Sequence, residues 1–343
     1  MRRAALLLCA LAVAVVLGGC GSAAQVREPD LVSNGPASAA AAQPAPRRQA
    51  DDDTVRIAIV THGQAASDFW AIVKNGSDAA ARQMGITVTY RSPDVYSVAR
   101  MRQFIDEAVA SRPDGLVVSI PTPALAGAIR RAVRAGIPVV SINSGSDIFR
   151  RLGILAHVGQ EELPAGTAAG RRMAADGVRD ALCVNHEPGN EGPDSRCRGF
   201  TRAIRAGGGN ARVVPIDLRD TALAQRQIEA ALRDQKIDGM LTLSSDGGEA
   251  ALRALAASGR AGDVELGTFD LSPEVLRAVL TGRMRFAVDQ QAYLQGYLPV
   301  VLLGELARYG LFAAQGRVIP TGPHFVTRAT AAQAIRLSQR GIR

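Results

Sequence analysis

The sequence is poor in aromatic residues and in lysine. Aromatic residues make up 4% of the 343 residues, and Trp70 is the single tryptophan. Of the 40 lysines and arginines, only Lys74 and Lys236 are lysine. The net charge is +8, but the basic residues occur singly or in pairs such as Arg130-Arg131, without interleaved aromatic residues. Because a nucleic-acid surface needs clustered basic residues, we interpret them as solvated helix faces and expect no nucleic-acid partner.

Motifs of several enzyme classes are also missing. The chain has no P-loop, no His-Glu-x-x-His zinc motif and no Gly-x-Ser-x-Gly nucleophile turn. The glycines at 207–209 follow no predicted strand, which favours a turn over a dinucleotide loop. We therefore expect a protein that is not an enzyme and has no cofactor and no metal, with an exported hydrolase as the remaining enzymatic alternative. Two Ser-His-Asp triads can be imagined outside such motifs, namely His62 with Asp68 and Ser67, and His186 with Asp194 and Ser195.

One apolar run, at residues 4–17, follows two arginines and is shorter than the roughly 20 residues that span a bilayer. It ends in LGGC, which resembles a bacterial lipobox, so residues 1–20 predict a lipoprotein signal peptide with lipid on Cys20. A plain secretory signal is the alternative. Residues 21–53 are rich in Ala, Pro and Ser and predict a disordered tether. We expect an exported, anchored lipoprotein on the outer face of the cytoplasmic membrane or in the periplasm.

Beyond the signal, only two cysteines remain, Cys183 and Cys197. They flank one loop, and an oxidising compartment permits a disulfide between them. Two buried free thiols are the alternative. A metal site is disfavoured, because the segment between them has no close cysteine pair and a single histidine.

From Thr54 onward, short apolar runs alternate with segments of helical spacing. Continuous apolar strands separated by helices indicate parallel sheets covered on both faces, so we predict an α/β fold of two doubly wound parallel-sheet lobes. The predicted strands are 55–60, 86–90, 115–120, 138–142 and 155–159 in the first half, and 181–185, 211–216, 237–243, 264–269, 285–290 and 324–327 in the second.

Ligands of such sheets bind beyond the carboxyl ends of the strands. The residues there are rich in Asn, Ser, Asp, Gln and His, which suit the hydroxyl groups of a neutral sugar or polyol, and aromatic rings suit its C–H faces. The strand ends lead into Thr61, His62, Ser67, Asp68, Phe69, Trp70, Asn143, Ser144, His186, Glu187, Asn190, Ser244, Ser245, Asp246, Asp270 and Gln290.

Several motifs in order resemble the periplasmic solute-binding proteins of the ribose and galactose type, which serve ABC sugar transporters. The resemblance covers residues 54–330. It rests on VRIAIVTHGQAASDFW, SRPDGLVVSIPT, AGIPVVSINS, RCRGF, LGTFD and VDQQAYLQGY.

The resemblance implies a type I periplasmic binding protein, in which three crossings join two lobes as a hinge. The crossings are expected near 157–160, 289–291 and 316–323. Lobe one would be 54–158 plus 291–318, and lobe two 159–290 plus 319–343.

The resemblance also assigns ligand contacts. Phe69 and Trp70 would stack on a sugar ring, and Arg196 would offer its fork to vicinal hydroxyls. Asn143 and Ser144 stand where the family often has Asp-Arg, so a charged anchor is missing. The implied ligand residues are Thr61, His62, Ser67, Asp68, Phe69, Trp70, Asn143, Ser144, Asp194, Arg196, Ser244, Ser245, Asp246, Asp270 and Gln290.

Four of these residues have an ordinary structural alternative. Trp70 can be a core residue, His62 a loop histidine, Asp270 the cap of the following helix, and Gln290 a hinge hydrogen-bonding group.

The resemblance implies the substrate-binding component of an ABC importer. It would capture a pentose, hexose or inositol-like compound and deliver it to a membrane permease, as a monomer. A receptor that presents its ligand to a sensor kinase or chemoreceptor is the alternative, and the sequence leaves open which compound is bound.

Overall fold

A computed structural model of the protein describes residues 54–63, 67–94 and 96–343. The predicted signal peptide, the tether and the lipidation site Cys20 lie outside these residues. In the described part of the chain, no helix is both long and apolar enough to cross a membrane.

Strands and helices alternate along the chain. The strands are β1 (Arg56–Val60), β2 (Thr87–Arg91), β3 (Gly115–Ser119), β4 (Val139–Ile142), β5 (Ala156–Gly159), β6 (Asp180–Asn185), β7 (Asn210–Pro215), β8 (Gly239–Thr242), β9 (Glu265–Phe269), β10 (Phe286–Asp289), β11 (Val318–Pro320) and β12 (His324–Val326). The helices are α1 (Asp68–Met84), α2 (Val98–Ala110), α3 (Ala126–Arg134), α4 (Glu162–Ala175), α5 (Glu191–Ala206), α6 (Thr221–Ala231), α7 (Ser245–Ala257), α8 (Pro273–Thr281), α9 (Ala292–Tyr309) and α10 (Arg328–Ser338).

The strands form two six-stranded sheets, one in each lobe. The order is β11-β5-β4-β3-β1-β2 in lobe one and β12-β10-β9-β8-β6-β7 in lobe two. Every pair is parallel except β10 with β12. The predicted fold of two doubly wound parallel-sheet lobes is confirmed.

The inner strands of each sheet are buried on both faces, which explains their nearly continuous apolar sequences. In β1, Ile57 and Ile59 pack with Val73 of α1 on one face. Ala58 and Val60 point to the opposite face, toward α2 and α3, because successive strand residues alternate.

The chain passes between the sheets three times, at 160–161, 290–291 and 321–323. Gln295 links two of these passages, since its Nε2 donates to the carbonyl of Gln290 and to Oγ1 of Thr321, both at 3.1 Å. Strand β11 pairs with β5. Gly159 of β5 and Ile319 and Pro320 of β11, which the resemblance places in lobe two, therefore lie in the sheet of lobe one.

Helices α1 and α9 touch through their backbones in lobe one. A Cβ at Gly76 would lie 2.0 Å from the carbonyl oxygen of Tyr293, and a Cβ at Gly296 would lie 1.8 Å from that of Val73. Only glycine permits this approach.

Candidate ligand-binding site

A cavity of about 440 Å³ lies between the two lobes. It is lined by residues that follow the carboxyl ends of strands in both sheets. In each lobe the strand order reverses here, between β1 and β3 and between β6 and β8, and such switch points are where doubly wound sheets bind ligands. The volume lies in the range of small-molecule sites.

Most of the predicted ligand residues line this cavity. Those that do are His62, Ser67, Phe69, Trp70, Asn143, Arg196, Ser244, Asp246, Asp270 and Gln290. The predicted residues that are not part of the lining are Thr61, Asp68, Ser144, Asp194 and Ser245.

The side chains outside the lining have other partners or positions. The Thr61 hydroxyl bonds Tyr90 Oη at 3.1 Å. Asp194 accepts from Asn185 Nδ2 at 2.7 Å and so holds the loop after β6. Ser144 is buried and donates to the Asn143 side chain at 3.1 Å. The remaining two, Asp68 and Ser245, lie in the first turns of α1 and α7.

Two further loops line the cavity, and the sequence prediction missed both. Tyr96 belongs to the connection between β2 and α2, and residues 216–219 belong to the connection between β7 and α6. Both follow edge strands. The strand-end rule was the available signal, since applying it to these two strands also leads into Tyr96 and 216–219.

Trp70 is both a core residue and a lining residue. Its side chain is 8% exposed and packs with the apolar cluster beneath the sheet of lobe one. Its ring meets His62 edge-to-face at 4.9 Å and Phe69 at 5.1 Å. Gly63 makes room for it, because a Cβ there would lie 1.7 Å from the indole nitrogen. Trp70 therefore packs in the core and also lines the cavity, and its stacking on a ligand stays a prediction.

His62 is buried in a hydrogen-bond network that reaches the other lobe. Asn190 Oδ1 accepts from the Gly192 amide at 3.1 Å, so its Nδ2 faces His62 Nε2 at 3.3 Å. His62 Nδ1 then carries the proton and donates to Ser119 Oγ at 2.8 Å. Burial lowers the pKa of His62 to about 4, so the ring is neutral at pH 7.

A second contact joins the lobes beside this network. The Glu191 amide, at the start of α5, donates to the carbonyl of Pro121, beyond β3, at 3.0 Å. Together with the His62–Asn190 contact, it holds the two walls of the cleft against each other.

Arg196 projects from α5 to the floor of the cavity and is 4% exposed. Its Nε and Nη2 donate to the two carboxylate oxygens of Glu162 at 2.6 and 2.9 Å. Nη2 also donates to Gln290 Oε1 at 2.9 Å, and Nη1 to the carbonyl of Leu243 at 3.3 Å. The resemblance assigns the Arg196 guanidinium to vicinal hydroxyls of the ligand, but most of its N–H groups donate hydrogen bonds within the protein.

Asp270 lies beside this group. Gln290 Nε2 donates to its Oδ1 at 2.5 Å. Burial raises the pKa of Asp270 to about 7, against the lowering effects of Arg196 and of the Gln290 hydrogen bond. The residue that caps the following helix is Ser272, whose hydroxyl accepts from the Val275 amide at 3.1 Å. The cap alternative for Asp270 is therefore wrong.

The cavity carries an excess of carboxyl groups. Of its cationic residues, Arg196 pairs with Glu162 outside the lining, and Arg219 pairs with Asp217. Within the described ranges, no lysine or arginine forms an ion pair with the lining carboxyls Glu187, Asp246 and Asp270. The surface offered to a ligand is rich in acceptors and acidic.

Backbone strain also gathers at this edge of the lobes. Asn143, Asp270 and Gln291 have positive φ values of 60°, 67° and 51°. Asn143 and Asp270 line the cavity, and Gln291 lies in the second passage between the lobes. A residue other than glycine with a positive φ costs free energy, and such residues tend to occur at functional sites.

A disulfide joins Cys183 of β6 to Cys197 of α5, with both residues buried. This agrees with the first of the two alternatives for these cysteines. It anchors α5 to the sheet directly beside Arg196.

Neither imagined triad forms among the described residues. His62 bonds Ser119 instead of Ser67, and Asp194 bonds Asn185 instead of His186. Ser119 itself is fully buried and lies outside the cavity lining. Nor does any group of three or more His, Cys, Asp or Glu side chains in the described ranges have the arrangement needed to hold a metal ion.

Two α/β lobes with a polar, aromatic-walled cavity between their strand ends define a cleft-type solute-binding protein. Residues 57–310 match the family model described as a periplasmic binding protein domain. The chain belongs to this family of periplasmic binding proteins, and membership implies an extracytoplasmic location.

The names of three similar proteins refer to carbohydrates. A carbohydrate transporter from Acidothermus cellulolyticus 11B, solved in complex with myo-inositol, is 33% identical, with a TM-score of 0.80 over 84% of this chain and 100% of that chain. The xylose/arabinose-binding protein XylF of Sulfolobus acidocaldarius is 23% identical over 80% of this chain and 72% of its own length. The ribose import binding protein RbsB of Haemophilus influenzae is 22% identical over 75% and 86%.

Proposed function

We propose that this protein captures a small neutral sugar or polyol, such as a pentose, hexose or inositol-like compound, and delivers it to the permease of an ABC importer. The observation that carries the proposal is the interlobe cavity, which combines an aromatic wall at Phe69 and Trp70 with carboxyl acceptors such as Asp270, which forms no ion pair with a lysine or arginine among the described residues. Hydroxyl groups satisfy such acceptors, and ring C–H faces pack on the aromatic wall. The myo-inositol complex of the 33% identical transporter supports the same ligand class.

The proposed mechanism is closure of the two lobes about the three passages, without a chemical step. A ligand that contacts both walls favours the closed state by its extra contacts there. The hydrogen bonds His62–Asn190 and Glu191–Pro121 cross the cleft, so they contribute to the closed state alone. We infer no enzymatic activity, because among the described lining residues no serine is hydrogen-bonded to a histidine that could act as its base.

We also propose that the protein is exported as a monomer and anchored through lipid on Cys20. Lobe one is proposed to comprise 54–160 plus 291–320. The LGGC pattern supports the anchor. The sheet membership of β11 supports the end of lobe one.

Charge selectivity provides the test of the ligand class. At concentrations about 100-fold above Kd, myo-inositol, D-xylose or D-ribose should stabilise the folded protein by about 2.7 kcal/mol and raise its Tm by several degrees. D-Ribose 5-phosphate and D-glucuronate should not stabilise the protein. The lining carboxyl groups without a cationic partner repel an anion, and both lining arginines already form ion pairs with carboxylates of the protein. Thermal-shift measurements on the matched neutral and anionic compounds check this. Stabilisation by an amino acid or an anionic sugar, with none by the neutral compounds, would overturn the proposal.

Trp70 should report on ligand binding directly. As the single tryptophan, it gives all of the indole emission, which should change when myo-inositol binds. Trp70→Leu should weaken binding roughly tenfold or more, whereas Trp70→Phe, which keeps an aromatic face, should retain most of the affinity. Titration calorimetry on both variants separates ring stacking from general packing. Equal affinities for the two variants would show that no aromatic contact contributes.

A further inference from the structure

Glu162 is a buried carboxylate that lies just behind the cavity. It opens α4, directly after the first passage between the lobes, and is 6% exposed without lining the cavity. Besides the two bonds from Arg196, its Oε2 accepts from Gln160 Nε2 at 2.8 Å. A buried carboxylate is costly unless its oxygens are bonded in this way.

Close helix packing brings Glu162 to Arg196. A Cβ at Gly166 of α4 would lie 2.0 Å from the carbonyl oxygen of Arg196, and a Cβ at Gly199 of α5 would lie 2.2 Å from that of Leu163. The two backbones therefore touch, and the first turn of α4 reaches the guanidinium. The disulfide also joins α5 to β6.

The ion pair of Glu162 with Arg196 determines which guanidinium N–H groups of Arg196 remain free to face the cavity. Glu162, Gln290 and the carbonyl of Leu243 take four of the five guanidinium N–H groups. The guanidinium also lies 4.5 Å from the ring centre of Phe269. One N–H is left for a ligand.

The same pair determines the orientation of Gln290. An arginine only donates, so the atom of Gln290 that faces Arg196 must be the carbonyl oxygen. The amide nitrogen of Gln290 then points to Asp270 and donates to it. The result is a continuous chain of hydrogen bonds from the first passage, at Gln160, to the second, at Gln290, and on to Asp270 in the cavity.

We propose that Glu162 is a positioning residue for ligand binding: by holding Arg196 it fixes the amide orientation of Gln290 and keeps Asp270 as a hydrogen-bond acceptor for the ligand. It acts without touching the ligand. The affinity part of this inference rests on the proposed function, whereas the effect on Asp270 can be measured in the protein without ligand.

The charged groups that face Asp270 come from three elements. After burial, which is the largest effect, Arg196 of α5 lowers the pKa of Asp270, while Glu162 of α4 and Asp289 of β10 raise it. The Gln290 hydrogen bond lowers the pKa of Asp270 more than the charge of Glu162 raises it, so loss of that bond in a Glu162 variant moves the titration of Asp270 to higher pH. Loss of the Glu162 charge with the bond intact would move the titration to lower pH, and a role of Glu162 in stability alone would leave it unchanged.

The test compares Glu162→Gln with Glu161→Gln. Glu161 precedes α4, is exposed, and its side chain makes no capping hydrogen bond, so its variant is the matched control for the loss of one negative charge. A glutamine at 162 turns an NH₂ group toward one of the donors Arg196 and Gln160, which breaks the network.

The first measurement is the carboxyl titration of Asp270 in ligand-free protein, by carbon NMR with the signal assigned from Asp270→Asn. The midpoint should lie near pH 7 in the wild type and in Glu161→Gln, and higher in Glu162→Gln, because the lost Gln290 hydrogen bond outweighs the lost charge. A midpoint in Glu162→Gln that is unchanged or lower overturns the inference whether or not any sugar binds.

The second measurement is calorimetric titration with myo-inositol at pH 8. Glu162→Gln should lose roughly 10- to 100-fold in affinity, and Glu161→Gln should bind like the wild type. If Glu162→Gln does not fold, Glu162→Asp keeps the charge but is too short for both bonds, and it should show a smaller loss. Wild-type affinity in the folded variant overturns the inference. Failure of the wild type to bind any neutral compound overturns the proposed function instead, and the Asp270 titration still decides the role of Glu162.

Discussion

Replacing Gly296 with alanine should destabilise the protein by about 3 kcal/mol, because the new methyl group would have to occupy the position of a backbone oxygen. The added Cβ would lie 1.8 Å from the carbonyl oxygen of Val73, and backbone atoms cannot turn away as a side chain does. Helix α9 must then move off α1. Since α1 begins with the cavity residues Phe69 and Trp70, the folded fraction should also bind its ligand more weakly.

Urea unfolding of Gly296→Ala against Gly127→Ala tests this expectation. Gly127 lies in α3, where a Cβ would meet only Arg131 Nη1 at 3.8 Å. Its replacement should be neutral or stabilising by up to about 1 kcal/mol, as expected for Gly→Ala in an open helix. If Gly296→Ala is as stable as Gly127→Ala, helices α1 and α9 are not in backbone contact.

Removing the disulfide should cost about 3 kcal/mol of stability. The bond links residues 14 apart, so it restricts the unfolded chain between β6 and α5. The double variant Cys183→Ala and Cys197→Ala removes it without leaving a buried thiol. We expect a lower unfolding midpoint in urea and a weaker affinity for myo-inositol, because α5 carries Arg196 next to Cys197.

A reductant supplies the control for this prediction. Wild-type protein unfolded in the presence of a phosphine reductant should approach the stability of the double variant, and the double variant itself should not respond. A wild type that is insensitive to reductant even when unfolded would contradict the presence of the bond.

Much of the fold follows from local patterns in the sequence. The apolar β-branched runs are short and separated by helical spacing, and the predicted strand starts and ends agree with the structure to within a few residues. The short strand β11 was not predicted, because its three residues Val318–Pro320 are only partly buried and carry no alternation long enough to detect. Its pairing with β5 depends on chain segments far apart in sequence.

The lining of the cavity was predictable where a buried strand leads into it, as at Trp70, Asn143 and Asp270. The hydrogen-bond partners of the individual side chains were harder to predict. Nothing local distinguishes Asp194, which bonds Asn185, from Arg196 two residues later, which reaches the cavity. The Glu162–Arg196 pair joins residues 34 apart and depends on two glycines that bring the helices together, which only the folded structure reveals.

In each lobe, glycine-mediated contacts between two helices connect a passage between the lobes rigidly to one wall of the cavity. In lobe one, α9 begins at the second passage between the lobes and is fixed against α1, whose first turn is the aromatic wall of the cavity. In lobe two, α4 begins at the first passage and is fixed against α5, which begins beside the cavity. In the proposed closure, rotation of a few backbone dihedrals at 160–161 and 290–291 would therefore displace whole cavity walls without deforming them. The ligand should thus meet walls of constant shape whose separation alone changes, and affinity should respond to substitutions that restrict backbone rotation at 160–161, away from the ligand.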